Sequence, residues 1–273
     1  MLKAGQFKIP VHLAFGHEAV AVAMDLTMQA EDALCLTHRN GAYNLARSKS
    51  FDSELAHYEL RGRSGSAAQM ASMNLAMENT GIAYTSSILG NNMAVGAGIA
   101  MNRKVCHREG IVFILTGDGA IEEGVFWETL IFARSHELGI AVVVENNNFS
   151  LGSTIAQRRS PIDLSLVCAG LGVSFRRATG AELPEVKAAL GAARSDASRG
   201  CPAVIEVQLH TFNQHAGPTP GWAEDPRRIA LHDGLLLGQG DDPNDPLVRL
   251  QQALGEEHFR RLAEQVVQEN AVG

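Results

Sequence analysis

The sequence predicts an α/β fold, a mostly parallel doubly wound sheet in three layers with helices on both faces. Three observations carry that prediction. The apolar, β-branched run at residues 111–116 breaks into Gly117-Asp118-Gly119, which reads as a buried parallel strand ending in a turn. After a helical stretch, a second apolar run at residues 140–144 ends in Glu145-Asn146-Asn147-Asn148. Residues 171–177, 182–194 and 202–209 then repeat the order strand, helix, strand. A right-handed crossover sets consecutive strand ends side by side. In an open α/β sheet, ligands collect outside those carboxyl ends.

Hard oxygen ligands stand at both ends of the central unit. Asp118 and Asn147, with a loop carbonyl, form a set that suits Mg²⁺, which prefers octahedral oxygen ligands and completes its shell with phosphate oxygens. Gly117 and Gly119 remove side chains where a phosphate would approach the backbone. Glu122 and Glu123 are expected in the first turn of the following helix, where the macrodipole favours negative charge. The plainer alternative is that Asp118 caps a helix and the asparagines only make a turn. Both halves falling at strand ends with a helix between them favours the metal.

Gly117-Asp118-Gly119 followed by Asn146-Asn147 at this spacing resembles the thiamine-diphosphate motif. The wider segment is similar to the alpha subunit of the decarboxylating component of 2-oxo acid dehydrogenases. Glu123-Gly124 with Trp127-Glu128 is also similar to the amino-terminal half of transketolases. The resemblance, spanning roughly residues 10–265, implies a thiamine-diphosphate-binding fold. It makes Asp118, Asn147 and the carbonyl of Phe149 the Mg²⁺ ligands, with Gly117, Gly119 and Ala120 beside the diphosphate.

Composition bounds the rest. The chain has 273 residues, a formal net charge of −7 and no basic block, which argues against nucleic acid or an anionic membrane as partner. No apolar run approaches membrane-spanning length, and the amino terminus shows no signal-peptide pattern, so the expectation is a cytoplasmic protein. Cys35, Cys106, Cys168 and Cys201 are scattered without a Cys-x-x-Cys pair and read as reduced thiols. Residues 1–240 are expected to form the cofactor-binding domain, with 241–273 a linker and carboxyl-terminal helix packed on it.

In chain order, residues 11–30 show helical periodicity around Gly16-His17-Glu18-Ala19, similar to a Gly-Gln-Glu-Ala helix of the family, and His17 reads as structural. A short strand at 33–36 leads into Thr37-His38-Arg39. There the resemblance places cofactor-binding residues His38 and Arg39, and a guanidinium suits bidentate contact with phosphate. Asn40-Gly41-Ala42-Tyr43-Asn44 follows where the family continues with a His-Gly-His type of sequence. Tyr43 is the remaining hydrogen-bonding candidate for the catalytic end. Residues 45–62 read as one helix and 61–66 as a Gly/Ser-rich basic loop. Asn74 likewise stands where the family has a histidine. Residues 84–98 read as a loop entering a helix; by resemblance Ser87 and Leu89 receive the aminopyrimidine ring, and Gly90, Gly96 and Gly98 permit close helix–sheet approach.

After Phe149 a polar loop runs to Arg158-Arg159, and a helix is expected from Ser160-Pro161. The loop at 210–222 carries His215, matched by resemblance to a histidine near the diphosphate and assigned both cofactor contact and a catalytic role. Residues 241–246 form a turn-rich linker before a helix at 247–267.

The resemblance implies an alpha-type subunit, dependent on thiamine diphosphate and Mg²⁺, that decarboxylates a 2-oxo acid such as pyruvate. A two-carbon acyl or ketol adduct on the cofactor would pass to an acceptor such as a lipoyl or acyl-carrier domain. No candidate for the family's activating glutamate is found, so a beta-type partner in an α₂β₂ assembly should supply it. The alternatives are transketolase-like transfer of a two-carbon ketol unit from a ketose phosphate, and a regulatory subunit without catalysis.

Overall fold

The computed structural model describes residues 12–59, 75–212, 230–232, 235–237 and 242–270. Its centre is a six-stranded sheet in the order β2-β1-β3-β4-β8-β7, with every neighbouring pair parallel. In chain order, helix α1 (Glu18–Thr27) leads to β1 (Ala33–Leu36), α2 (Gly41–Ser48), α3 (Phe51–Tyr58), β2 (Ile82–Thr85) and α4 (Asn91–Val105). Next come β3 (Val112–Gly117), a 3-10 turn (Ala120–Glu122), α5 (Gly124–Ser135) and β4 (Ile140–Asn146). A small hairpin, β5 (Phe149–Ser150) and β6 (Ser153–Thr154), runs into α6 (Ile155–Arg158) and then α7 (Leu164–Leu171). The sheet is completed by β7 (Ser174–Thr179) and β8 (Ala203–Gln208), with α8 (Leu183–Ser198) between them. A short pair, β9 (Ala230–His232) and β10 (Leu235–Leu237), precedes α9 (Pro246–Leu254) and α10 (Glu256–Asn270).

Alternation along the strands splits the core in two. Leu34, Leu36, Phe113, Leu115, Val143 and Ile205 face α1 and α8. Cys35, Ile114, Val142 and Val204 face α4, α5 and α7. Both faces of the central strands are thus buried, which is why their sequence is continuously apolar. Each such side chain contributes roughly 1.5–3 kcal/mol of burial.

From β1 the chain steps outward to β2, then returns to β3 on the other side of β1. The strand order therefore reverses between β1 and β3, and the crevice beyond their carboxyl ends is the switch point where ligands bind in such sheets.

Several boundaries differ from expectation, each for a local reason. The single helix expected over 45–62 is broken after Ser48, because Lys49 is left-handed (φ 56°) and Ser50 caps α3; residues 60–62 lie outside the described residues. Glu122 and Glu123 precede α5, which starts at Gly124; Glu122 closes the 3-10 turn. The helix expected from Ser160 starts at Leu164, where the Asp163 carboxylate accepts from the amides of Ser165 and Leu166. Residues 171–173 end α7 and turn at Gly172, so β7 begins at Ser174. The carboxyl-terminal helix is interrupted at Gly255 (φ +80°). All four cysteines are free thiols; Cys35 and Cys168 are buried, and burial pushes their pKa up to about 12 and about 11.

Of the α4 glycines, Gly96 does allow close approach, whereas Gly98 does not face the sheet. A Cβ at Gly96 would lie 2.7 Å from Ile114 Cγ1, while one at Gly98 would meet nothing within 4 Å. Alanine gains about 1 kcal/mol of helix propensity at either position, but overpacking at Gly96 costs about 1–3 kcal/mol. Opposite signs follow. In thermal melts Gly98→Ala should raise stability by about 1 kcal/mol and Gly96→Ala lower it by a similar amount.

Candidate active site

A cleft of about 270 Å³ opens at the switch point. Its wall comes from the loop after β1 (Thr37, His38, Arg39), the loop before α4 (Ser87, Leu89, Gly90) and the end of β3 (Thr116 to Ala120). Glu145, Asn147, Phe149 and Leu151 close the side beyond β4. Each strand ends where its apolar run ends, so polar residues from distant parts of the sequence converge at one edge of the sheet. His38, Arg39, Ser87, Leu89, Gly117, Asp118, Gly119, Ala120, Asn147 and Phe149 all line this cleft. His215, the loop at 61–66 and Asn74 lie outside the described residues.

Asp118 is almost fully buried and its carboxylate holds Arg158 Nη2 at 2.6 Å. Burial raises its pKa from the ordinary aspartate value, against the pull of Arg158. Arg158 also pairs through Nε with Glu122 Oε1 at 3.0 Å, which Arg159 shares at the same distance. A cation therefore already sits on the carboxylate that the resemblance assigns to a metal. Asn147 accepts from the Phe149 amide on Oδ1 (3.0 Å) and donates from Nδ2 to Thr211 Oγ1 (2.8 Å). Among the described residues, no group of three or more His, Cys, Asp or Glu could hold a metal ion. A metal here would rely on the mixed set of one carboxylate, one amide and one carbonyl, which is the donor chemistry Mg²⁺ accepts.

Two further features fit a phosphorylated cofactor. Thr116 Oγ1 is buried at the cleft wall and has no hydrogen-bond partner, which marks a place for an absent group. A Cβ at Gly117 would meet nothing within 4 Å, so the strand end faces open space. Gly119 serves differently from the expected phosphate approach: a Cβ there would lie 2.6 Å from Ser150 Oγ, so its smallness seats the hairpin.

Tyr43 needs correction. It is fully buried, does not line the cleft, and donates to Glu145 Oε1 at 2.5 Å. Burial and the Glu145 carboxylate push its pKa well up, so it neither reaches a ligand nor exchanges protons near neutral pH. At Gly41, where the resemblance would place an imidazole, a Cβ would lie 2.9 Å from Tyr58 Oη and 3.0 Å from Glu54 Oε1. That space is filled from α3.

Of the cleft residues that the sequence does not mark as ligand-side groups, four stand out. His17 lines the cleft while bonding Glu145 through Nδ1 and Thr211 Oγ1 through Nε2, both at 2.9 Å. It is structural, as expected, but within the site. His12 packs edge-on against His38, with ring centroids 4.8 Å apart. Glu145 and Thr116 complete the set. The signal for Glu145 was present: a carboxylate ending an otherwise apolar buried strand needs a reason. His12 and Thr116 carried none.

The family model for the dehydrogenase E1 component matches residues 3–224. The chain belongs to that family. It is 26% identical over 212 residues to the alpha subunit of the pyruvate dehydrogenase E1 component of Rhizobium meliloti, covering 77% of this chain and 60% of that protein. The mitochondrial alpha-1 subunit of Arabidopsis thaliana is 28% identical over 212 residues, covering 77% of this chain and 54% of its own length. The E1 family member thus spans little more than half the length of the curated relatives it matches. A transketolase structure from Leishmania mexicana shares the fold at a TM-score of 0.53 and 15% identity, covering 71% of this chain and 36% of that one. No helix among the described residues is long and apolar enough to cross a membrane.

Proposed function

We propose that this chain is the alpha-type subunit of a two-component enzyme that uses thiamine diphosphate and Mg²⁺ to decarboxylate a 2-oxo acid such as pyruvate. One observation carries the reading: ten residues assigned to cofactor and metal by motif converge on a single cleft at the switch point. When bound, thiamine diphosphate supplies a nucleophilic thiazolium carbon and an electron sink for the carbanion left by decarboxylation. The chain's own residues bind and orient. Asp118, the Asn147 amide oxygen and the Phe149 carbonyl would hold Mg²⁺, and Arg39, with His215 as a second helper, would neutralise the diphosphate. Thr116 and Gly117 line the same cleft. The aminopyrimidine end falls to Ser87 and Leu89.

Among the described residues, each carboxylate on the cleft wall is engaged on the metal side or in the core: Asp118 with Arg158, and Glu145 with His17 and Tyr43. That supports an activating glutamate from a beta-type partner. The mouth supports it too, since Ile88 (69%), Leu89 (50%), Phe149 (47%) and Leu151 (63%) expose apolar surface around it. A lipoyl or acyl-carrier domain would then be the acceptor. Transketolase-like transfer from a ketose phosphate is the second reading, favoured by Glu123-Gly124 with Trp127-Glu128; the crowding at Gly41, where an imidazole would stand, marks a departure from the 2-oxo acid dehydrogenase pattern.

The test is to assay the purified chain alone and with a co-expressed beta-type chain, adding thiamine diphosphate and Mg²⁺. Pyruvate decarboxylation only in the two-chain sample is the expected outcome. Turnover by the single chain would refute partner dependence; consumption of a ketose phosphate but not of pyruvate would select the second reading. Calorimetry showing no cofactor binding even with the partner would leave the regulatory subunit.

A further inference from the structure

We infer that His17 and Thr211 are positioning residues: with Glu145 and Tyr43 they form a one-way hydrogen-bond chain that orients the Asn147 amide oxygen toward the metal. The inference rests on the cofactor reading above and adds the device that fixes one ligand of that site.

The direction of the chain follows from one donor and one acceptor of unambiguous identity. The Phe149 backbone N–H can only donate, so the Asn147 atom facing it at 3.0 Å is the carbonyl oxygen Oδ1. The other end of the amide is therefore Nδ2, donating to Thr211 Oγ1 at 2.8 Å. Thr211 Oγ1 keeps a second lone pair, so the direction of its 2.9 Å contact with His17 Nε2 is fixed from the far end. The Glu145 carboxylate only accepts, which puts a proton on His17 Nδ1 and leaves Nε2 of the neutral ring to accept the Thr211 hydroxyl. A neutral imidazole accepting on Nε2 carries its proton on Nδ1, which donates to Glu145 Oε1 at 2.9 Å. The same carboxylate oxygen accepts the Tyr43 hydroxyl at 2.5 Å. Every proton runs toward the buried carboxylate.

The arrangement has a function only at its near end. An asparagine amide can turn over and present N–H in place of oxygen, and a cation tolerates only the oxygen. Asn147 Oδ1 has two lone pairs; the Phe149 amide takes one, leaving the other for the cleft that Asn147 lines. A flipped amide would set Nδ2 against the Phe149 N–H and leave the Thr211 hydroxyl facing oxygen. The carboxylate at the far end sets the polarity of every bond between, and burial (His17 1%, Glu145 6% exposed) keeps water from substituting. Partners beyond the ligands commonly account for 10–100-fold in metal affinity.

The chemistry also says which substitutions preserve the relay. Glutamine at position 17 offers an NH₂ donor group at one end of its amide and an oxygen acceptor at the other, as neutral histidine offers one of each, whereas leucine offers neither. Serine at 211 keeps the hydroxyl, whereas valine keeps only the shape.

The experiment measures Mn²⁺ affinity by electron paramagnetic resonance, in the presence of thiamine diphosphate, for the chain co-expressed with its beta-type partner, as wild type and as four variants. Thr211→Val and His17→Leu should weaken Mn²⁺ binding about tenfold or more, while Thr211→Ser and His17→Gln stay within about twofold of wild type. Circular dichroism and melting confirm that the compared variants are folded. A ¹⁵N spectrum of the His17 ring, read in the wild-type protein without metal, should show the proton on Nδ1. Equal Mn²⁺ affinity across all folded variants, or the Nε2–H tautomer, would overturn the relay. If wild type itself binds no Mn²⁺, the cofactor reading falls in the wild-type arm, a result distinct from equal binding by all.

Discussion

Asp118→Ala should reduce Mg²⁺-dependent binding of thiamine diphosphate by at least about 100-fold, since loss of partners beyond the ligand sphere already costs 10–100-fold. Asp118 would be the one charged protein ligand of the proposed set, and among the described residues the cleft's other acid is engaged: Glu145 Oε1 is held by His17 and Tyr43. Calorimetric titration of the two-chain enzyme, with and without Mg²⁺, makes the measurement. Asp118→Asn should fall between, because it keeps an oxygen and loses the charge. Removal of the carboxylate also frees Arg158, which keeps its 3.0 Å contact with Glu122, so the fold should survive. A pair of titrations in which Asp118→Ala binds as tightly as wild type would dismiss the metal assignment. Arg158→Ala offers an opposite control. Its guanidinium lies 2.6 Å from the carboxylate that a metal would need, so removing it should strengthen Mg²⁺ binding or leave it unchanged.

The parts of this site legible in the sequence are those whose signal is local. Asp118 and Asn147 announce themselves because each interrupts an apolar strand, and strand ends in a parallel sheet converge by handedness alone. Arg39 and Ser87 follow the same logic at β1 and β2. Tyr43 was misplaced because a tyrosine in an amphipathic stretch can face either way, and its direction is decided by Glu145, from a strand far along the chain. Arg158 was read as a loop residue; its contact with Asp118 depends on the hairpin between β5 and β6, which turns on left-handed Asn148 and Leu151 (φ 65° and 52°). Helix boundaries failed where one residue changes hand, as at Lys49, which pattern reading at the scale of a turn does not resolve. The fold was legible, and so was the meeting of the strand-end residues in one cleft. The wiring between them was tertiary.

That wiring makes Glu145 a polar residue whose loss should damage the fold as much as loss of a large core side chain. A buried carboxylate is itself unfavourable, by several kcal/mol of desolvation, and alanine relieves that cost. Against it stand two donors, His17 Nδ1–H and Tyr43 O–H, which would lose their acceptor in a region where both side chains are at most 1% exposed. An unsatisfied buried donor costs about 1–3 kcal/mol each, and the space vacated by the carboxyl group adds a cavity term. The donors and cavity outweigh the relieved desolvation, because in the native protein the carboxylate's hydrogen bonds already offset much of its burial. Glu145→Ala should therefore destabilise the chain by about 4 kcal/mol, or roughly 10 °C in melting temperature for a domain of this size. Glu145→Gln retains an oxygen acceptor and the shape, and should cost only about 1 kcal/mol. Tyr43→Phe removes one donor together with its bond, and should cost about 1.5 kcal/mol alone but much less in the Glu145→Ala background. That non-additivity separates a hydrogen-bonded unit from two residues that merely neighbour each other. Additive losses in the double variant, or a Glu145→Ala melt within about 1 °C of wild type, would show that the carboxylate does not hold the network together.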